Sequence, residues 1–205
     1  MRRTVAIAAG LAAAGLVCVV GGRALAAPTP LQYTRSILEE TRRIVDSADP
    51  RNVKLAALSE LLGKFLDTDT MGRAALGKNW EKFTPAQQKE FLTLFGELFQ
   101  RTYVQKLLLF ERPDFEYVGE SVEGDTARAD TKIVTPRDEF AVVYRLRRDR
   151  DRWLATDIQI EDLSLTTNFR RQLDRMLEKS SPTDVLDRMR RKYGPGGKGG
   201  EDEAL

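Results

Sequence analysis

The chain has 205 residues, of which 41% are hydrophobic, so it is long enough for one domain with a substantial apolar core. Its formal net charge is +2, and it contains no histidine and a single cysteine, Cys18. The lack of imidazole removes the commonest general base and metal ligand, which favours a binding protein over an enzyme.

The first 26 residues have the layout of a secretory signal peptide. Arg2 and Arg3 precede an apolar run that ends in the motif Ala24-Leu25-Ala26, so we expect cleavage after Ala26. Cleavage removes three arginines and the cysteine, which changes the formal charge from +2 to −1 and leaves no thiol for disulfides or metal binding. A mature chain of this charge has no global basic field that would attract nucleic acid. An uncleaved membrane anchor is the alternative interpretation of the same residues.

The first part of the mature chain has apolar residues at helical spacing. This spacing predicts helices over residues 34–47 and 53–65, with the helix-breaking pair Asp49-Pro50 between them. A short third helix is predicted through the stretch MGRAALG, with N-cap candidates at residues 67–70 and Gly77 at its end.

A fourth, long helix is predicted from the sequence TPAQ, in which Thr84 is the N-cap and Gln87 completes a capping box. The helix is expected to continue to about Phe110, before Arg112-Pro113. Its apolar stripe is broad and aromatic, which suits either an ordinary core or the wall of a pocket. The rings in this stripe are Phe91, Phe95, Phe99 and Tyr103.

From residue 114 the apolar period changes to two, which predicts strands. Four strands are expected, at residues 115–118, 126–134, 140–148 and 153–160. Short turns join them as an antiparallel meander, and two further helices follow at residues 164–179 and 182–192. The prediction is an α+β fold with an antiparallel four-stranded sheet partly wrapped by N-terminal and C-terminal helices. Residues 27–193 are expected to form one domain, and residues 194–205 a disordered tail.

The sequence contains no phosphate-binding glycine loop, nucleophile elbow or metal-ligand pattern. Two acid pairs, Asp67 with Asp69 and Glu161 with Asp162, lie where helices are expected to begin, so capping is the favoured interpretation.

Five arginines between residues 145 and 152 lie beside Tyr144 and Trp153, a mixture that also occurs in binders of single-stranded nucleic acid. Acids interrupt this run, and strand alternation places Arg145 and Arg147 on the solvent side, opposite Tyr144 and Leu146. We therefore interpret the run as the charged end of a hairpin and expect no nucleic-acid partner.

Two blocks of sequence together carry a family resemblance. The first has the pattern Asp-x-x-x-Met-x-x-x-x-Leu-Gly-x-x-Trp from Asp67 to Trp80, followed by Thr84, Gln88, Phe91 and Arg101-Thr102-Tyr103. The second contains Tyr144-Arg145-Leu146, Trp153, Asp157, Ile160-Glu161, Leu163-Ser164 and Asn168-Phe169-Arg170. Over about residues 34–192 the chain resembles the MlaC/toluene-tolerance family of periplasmic phospholipid-binding proteins. Asp162 departs from the family pattern, which usually has glycine there.

The resemblance implies a soluble, monomeric carrier in the periplasm of a Gram-negative bacterium. Such a carrier holds phospholipid acyl chains in an apolar pocket between sheet and helices. It shuttles lipid between an inner-membrane ABC transporter complex and an outer-membrane lipoprotein complex. A hopanoid or another polycyclic lipid is an alternative cargo. A pocket of this kind needs apolar walls but neither histidine nor metal, so we expect no cofactor and no catalytic residue.

The lipid-binding residues are expected among the apolar positions of the long helix, the strands and their neighbours. The candidates are Met71, Leu76, Phe95, Leu98, Phe99, Tyr103, Val142, Tyr144, Ile158, Ile160 and Phe169. Plain core packing is the alternative for each of them. Two other classes of protein also stay open: an enzyme that uses carboxylates such as Asp157 in an apolar cavity, and a periplasmic protein-binding adaptor with a closed core.

Overall fold

The computed structural model describes residues 27–108 and 114–194. The expected signal peptide, Phe110 at the expected end of the long helix, and residues 195–205 of the expected tail lie outside the described residues. The helices are α1 (Pro30–Asp46), α2 (Arg51–Phe65), α3 (Thr68–Leu76), a 3-10 helix (Gly77–Lys82), α4 (Pro85–Leu107), α5 (Leu165–Leu177) and α6 (Pro182–Tyr193). The strands are β1 (Asp114–Glu123), β2 (Thr126–Val134), β3 (Glu139–Asp149), β4 (Arg152–Ile160) and β5 (Leu163–Ser164).

The α+β class is confirmed, but the prediction of a four-stranded sheet is wrong. Over the described residues the sheet has five antiparallel strands in the order β1-β2-β3-β4-β5. The extra strand, β5, has only two residues and pairs Ser164 with Gln159 and Leu163 with Ile160. A two-residue strand shows no alternation, and Ser164 is also the N-cap of α5, so the sequence pattern indicated only the helix.

The first strand is longer than its apolar alternation predicts. β1 continues to Glu123, and its register with β2 shifts between Tyr117 and Gly119, which leaves Val118 as the extra residue of a β-bulge. Because a bulge moves the later side chains to the other face, the second half of the strand loses the simple period of two.

Local sequence sets where three of the helices begin. Capping boxes at Thr29, Thr84 and Ser181 each precede a proline in the first turn, so backbone N–H groups at the helix start receive side-chain partners. The box predicted at Thr84 is confirmed. The box at Thr29 starts α1 four residues earlier than the apolar spacing alone indicates.

The helices cover one face of the sheet. α1 packs on β1 and β2, α5 packs on β4, and α3 lies against both α4 and α5. Their apolar sides share one core with the inner face of the sheet. Among the described helices, none combines the length and the hydropathy that crossing a bilayer requires.

Candidate functional site

The inner face of the sheet carries rows of side chains that the antiparallel register places side by side. From one end of the sheet to the other, the rows are Phe115, Ile133 and Phe140; Tyr117, Thr131, Val142 and Ile160; Glu120, Ala129, Tyr144 and Ile158; and Val122, Ala127, Leu146 and Ala155. All of these strands therefore contribute to one largely apolar surface beneath the helices.

Burial changes along these rows. Leu146 and Ala155, at one end, are 2% and 0% exposed. At the other end, next to the turn between β2 and β3, Phe115, Ile133 and Phe140 are only half-buried. At the first end the apolar interior is therefore closed over β3 and β4, although Val122 at the β1 edge is 55% exposed, and at the second end it is in partial contact with solvent.

A group of aromatic rings joins α4 to α5. Phe169 on α5 meets Phe95, Phe99 and Tyr103 of α4 at ring-centroid distances of 5.3, 6.3 and 6.3 Å. Phe99 and Tyr103 are closer still, at 4.5 Å. Phe95 is fully buried whereas Tyr103 is half-buried, and burial raises the pKa of the Tyr103 phenol to about 12. The predicted aromatic stripe thus contacts its partner helix directly.

A second group of rings joins α1, α2 and β3. Phe65 lies 6.3 Å from Tyr33 and 5.8 Å from Tyr144, measured between ring centroids. Burial raises the pKa of the Tyr144 phenol well above its usual value. Tyr33 and Phe65 were not among the predicted site residues, because only the fold brings these three elements together.

The structure brings all eleven predicted lipid-binding residues to the same apolar interior. Eight of them are at most 6% exposed, and Tyr103, Ile158 and Ile160 are half-buried. Pocket walls and packed cores both show such burial, so the lipid-binding role of these residues stays a prediction.

Sequence reasoning missed four members of the inner face. Phe115, Tyr117, Ile133 and Phe140 share its rows with the predicted Val142 and Ile160. The signal was present, since the same alternation runs through β1, β2 and the start of β3, but the strand candidates were limited to two residues each of β3 and β4.

Asp157 and Asp67 are occupied by hydrogen bonds at helix starts, but the capping prediction for Glu161 and Asp162 is wrong, because Ser164 caps α5 and Glu161 accepts from the Ala141 backbone N–H at 2.7 Å. Asp157 accepts hydrogen bonds from the Ser164 hydroxyl at 2.6 Å and from the Thr166 backbone N–H at 3.1 Å, which joins β4 to the start of α5. Asp67 caps α3, as predicted, by accepting from the Thr70 backbone N–H at 3.0 Å. Within residues 27–108 and 114–194, no cluster of three or more acidic, histidine or cysteine side chains is suited to a metal ion.

Two of the five arginines in the β3–β4 hairpin form ion pairs within the described residues. Tyr144 and Leu146 are buried and Arg145 is exposed, as the alternation predicts. Arg147 differs from that prediction, because it forms an ion pair with the buried carboxylate of Asp67. Arg152 pairs with Asp149 at 2.8 Å. These pairs reduce the charge that the run presents to solvent.

The geometry defines an α+β domain in which helices cover the apolar inner face of an antiparallel sheet. Residues 34–191 match the model of the MlaC protein family, and the chain belongs to that family. The fold is similar to that of the phospholipid-binding protein from Ralstonia solanacearum, whose structure was determined in complex with a phospholipid. The TM-score is 0.66 at 19% sequence identity, over 77% of this chain and 92% of that chain. A comparison with curated proteins gave no significant match.

Proposed function

We propose that the protein is a periplasmic lipid carrier, which binds the acyl chains of a phospholipid between its helices and the inner face of its sheet. The observation that carries this proposal is the half-buried apolar end of the inner face, at Phe115, Ile133 and Phe140, next to a fully buried interior. Membership of the MlaC family and the similarity to a protein with a bound phospholipid support it.

The chemistry of the interior suits acyl chains. Moving a methylene group from water into an apolar site gains about 0.8 kcal/mol, so a dry and apolar surface is enough to hold a lipid tail. Two aliphatic polar side chains of the inner rows are satisfied within the protein: the Thr131 hydroxyl donates to the Val142 carbonyl at 3.1 Å, and the Glu120 carboxylate, at the β1 edge, accepts from the Leu31 backbone N–H at 2.6 Å. That hydroxyl therefore needs no water inside the site.

The proposed binding surface consists of the eleven predicted residues together with the half-buried end of the inner face. It extends from the rings of α4 and α5, around Phe169, to Phe115 and Ile133 at the end of the sheet. We propose that lipid enters and leaves at that end. Because the apolar contribution is large, release requires a membrane complex that opens the interior.

The cellular part of the proposal is that cleavage after Ala26 releases a mature domain, residues 27–193 with a short tail, into the periplasm. There it passes lipid between an inner-membrane ABC transporter complex and an outer-membrane lipoprotein complex. The intact mass of the exported protein tests the first step, since it should correspond to a chain that begins at Ala27. An exported chain that retains residues 1–26 would contradict it.

The direct test of cargo is organic extraction of the natively purified protein, followed by mass spectrometry. A stoichiometric phospholipid supports the carrier, and a polycyclic lipid changes the cargo but keeps the carrier class. A folded protein that yields no lipid favours an adaptor with a closed core. Conversion of an added phospholipid into product indicates an enzyme instead.

A further inference from the structure

A basic surface lies on the outer side of α3, the 3-10 helix and α5. Residues 73–82 and 165–179 together carry seven basic and three acidic side chains. We define the basic face as five exposed cations of these segments: Arg73, Lys78, Arg170, Arg171 and Arg175. The three elements pack against one another, so these cations belong to one side of the domain.

These cations are not neutralised by the protein itself. None of the five forms an ion pair with a carboxylate of the described residues. Arg170 donates to the Ala74 carbonyl at 2.8 Å, and the Arg73 guanidinium lies 4.6 Å from the centre of the Trp80 ring. Both interactions leave the positive charge in place.

Charge is segregated across the domain. Residues 114–125, which include the edge strand β1, contain five acidic and no basic side chains. α5 packs on β4, near the opposite edge of the sheet. Arg42 pairs with one of these acids, Asp114, at 3.0 Å, and Lys132 of β2 lies opposite Glu116; Glu120, Glu123 and Asp125 form no ion pair with the described residues and keep this part of the β1 edge negative. Such a charge distribution orients the domain in an electric field, with the basic face toward a negative surface.

We propose that the basic face binds the anionic phospholipid headgroups of a membrane surface. Clustered Lys and Arg side chains are attracted to an anionic leaflet, and each one near the surface raises the partition constant about fivefold. The half-buried Trp80 beside Arg73 adds a ring of the type enriched at membrane–water interfaces.

The composition of the basic face favours a lipid surface over a protein partner. The core of a protein–protein interface is depleted in charged residues and holds apolar anchors. The large hydrophobic side chains exposed in the described residues are Val53, Val118, Val122 and Leu163, and none belongs to the basic face. Apart from the half-buried Trp80, the segments that carry the basic face expose charge without a large hydrophobic side chain.

The basic face is the outer side of a helix that also contacts the interior. Arg170 is exposed and donates to the Ala74 carbonyl of α3. Its neighbour Phe169 is 1% exposed and packs on Tyr103. Docking through α5 therefore sets the aromatic group of α4 and α5 directly behind the membrane contact. The proposed docking does not depend on which cargo the interior holds. An experiment can therefore disprove membrane docking without disproving lipid binding in the interior, and the reverse.

Flotation with vesicles tests the docking. Wild-type protein is expected to float with vesicles of phosphatidylcholine and phosphatidylglycerol, but not with phosphatidylcholine alone, and high salt is expected to release it. At about fivefold per cation, loss of two arginines is expected to lower the partition constant between vesicle and solution about thirtyfold. The test variant is therefore Arg171→Glu/Arg175→Glu, two neighbours one turn apart on α5.

The matched control is Arg51→Glu/Arg188→Glu, which changes the net charge equally at two exposed arginines outside the basic face and outside the β2–β3 turn. The control is expected to keep wild-type flotation. Equal loss in both variants, or wild-type protein that ignores anionic vesicles, overturns the proposal; the second result points to an acidic protein as the partner of this face. Circular dichroism checks folding, and Arg171→Gln/Arg175→Gln replaces the test variant if it unfolds. Extraction of the same preparations reports cargo independently.

Discussion

Arg147 on β3 donates a hydrogen bond to the carboxylate of Asp67, the N-cap of α3. Thr70 donates to the same carboxylate through its hydroxyl at 2.7 Å and its backbone N–H at 3.0 Å. The Asp67 backbone N–H itself donates to the Ala155 carbonyl of β4 at 2.9 Å. One residue therefore ties the junction of α2 and α3 to two strands of the sheet.

This contact predicts an acid-sensitive stability. Burial by itself raises the pKa of the Asp67 carboxyl, but the hydrogen bonds from Thr70 and Arg147 and the charge of Arg147 together hold it below its ordinary value of 3.8. A depressed pKa stabilises the fold above pH 3.8, and this contribution is lost as the pH falls through the folded value. We expect Asp67→Asn to cost about 1–3 kcal/mol at neutral pH.

Urea unfolding of wild type and Asp67→Asn over a range of pH measures this effect, and the difference between them should narrow at acid pH. Asp69→Asn, at an exposed acid in the same first turn, is the matched control and should change stability by less than about 1 kcal/mol. A difference between Asp67→Asn and wild type that stays constant down to acid pH would contradict the assignment.

Gly72 allows a close approach of α3 to α4. A Cβ atom at this position would lie 2.9 Å from Leu92 Cδ2 and 3.2 Å from Phe95 Cδ1. At Gly96, also inside a helix, the nearest atom would be the Thr68 hydroxyl at 3.6 Å, an ordinary contact. Substitution by alanine improves helix propensity by a similar amount at both glycines. Packing around the new Cβ atom therefore decides which of the two variants is more stable.

We expect Gly96→Ala to stabilise the protein by up to about 1 kcal/mol, and Gly72→Ala to be less stable than that variant by about 1–3 kcal/mol. Thermal or denaturant unfolding of the two variants measures the gap. Equal stabilities would mean that Leu92 and Phe95 move aside at little cost.

A substitution at Ile158 can distinguish a lipid pocket from a packed core. The residue is half-buried on the inner face, beside Tyr144 and two rows from the half-open end of the sheet. If the space above it holds lipid, Ile158→Trp should fill that space and lower the co-purified lipid several-fold without a large loss of stability. If it is packed core, the larger ring should instead cost about 1–3 kcal/mol.

Lipid extraction and thermal unfolding of the same sample give both readouts for Ile158→Trp. The control is Val118→Trp at the bulge of β1, where the native side chain is 61% exposed and a larger one meets solvent. A folded Ile158→Trp protein with the wild-type amount of lipid would place the pocket elsewhere.

The raised pKa of the Tyr103 phenol predicts that the protein loses stability at alkaline pH. Its folded pKa of about 12 lies above the ordinary value of 10.0 because burial disfavours the phenolate. The contribution is therefore present below pH 10.0 and is lost as the pH rises toward 12. Tyr103→Phe cannot ionise, so its unfolding free energy should fall less steeply with pH over this range. Parallel profiles for the variant and the wild type would contradict the burial of this phenol.

Much of the fold is predictable because its determinants are local. The capping box at Thr84, the period-two strand β2 and the proline start of α6 each depend on residues within one turn or a few pairs of the chain. Hydrogen bonding and apolar alternation over such short distances identify an element without reference to the rest of the protein. The strand β5 has only two residues, which is too short to show alternation, and only its pairing with β4 defines it.

The site depends on contacts across long separations. Asp67 and Arg147 are 80 residues apart, and the apolar spacing of neither segment specifies the other. The rows of the inner face exist only once three strand registers are set, and the bulge at Val118 shifts one of them. The spacing of aromatic residues therefore predicts an apolar helix face, but it does not predict which other elements that face contacts.

The sequence by itself determined the α+β class, the starts of α4 and α6 and the family, because periodicity, capping and motif spacing are written along the chain. Only the tertiary structure decided that the inner face is closed at Leu146 and half-open at Ile133, and that α5 carries rings inward and arginines outward. Burial and the pairing of charges are properties of neighbours in space, which the order of residues along one strand or helix does not contain.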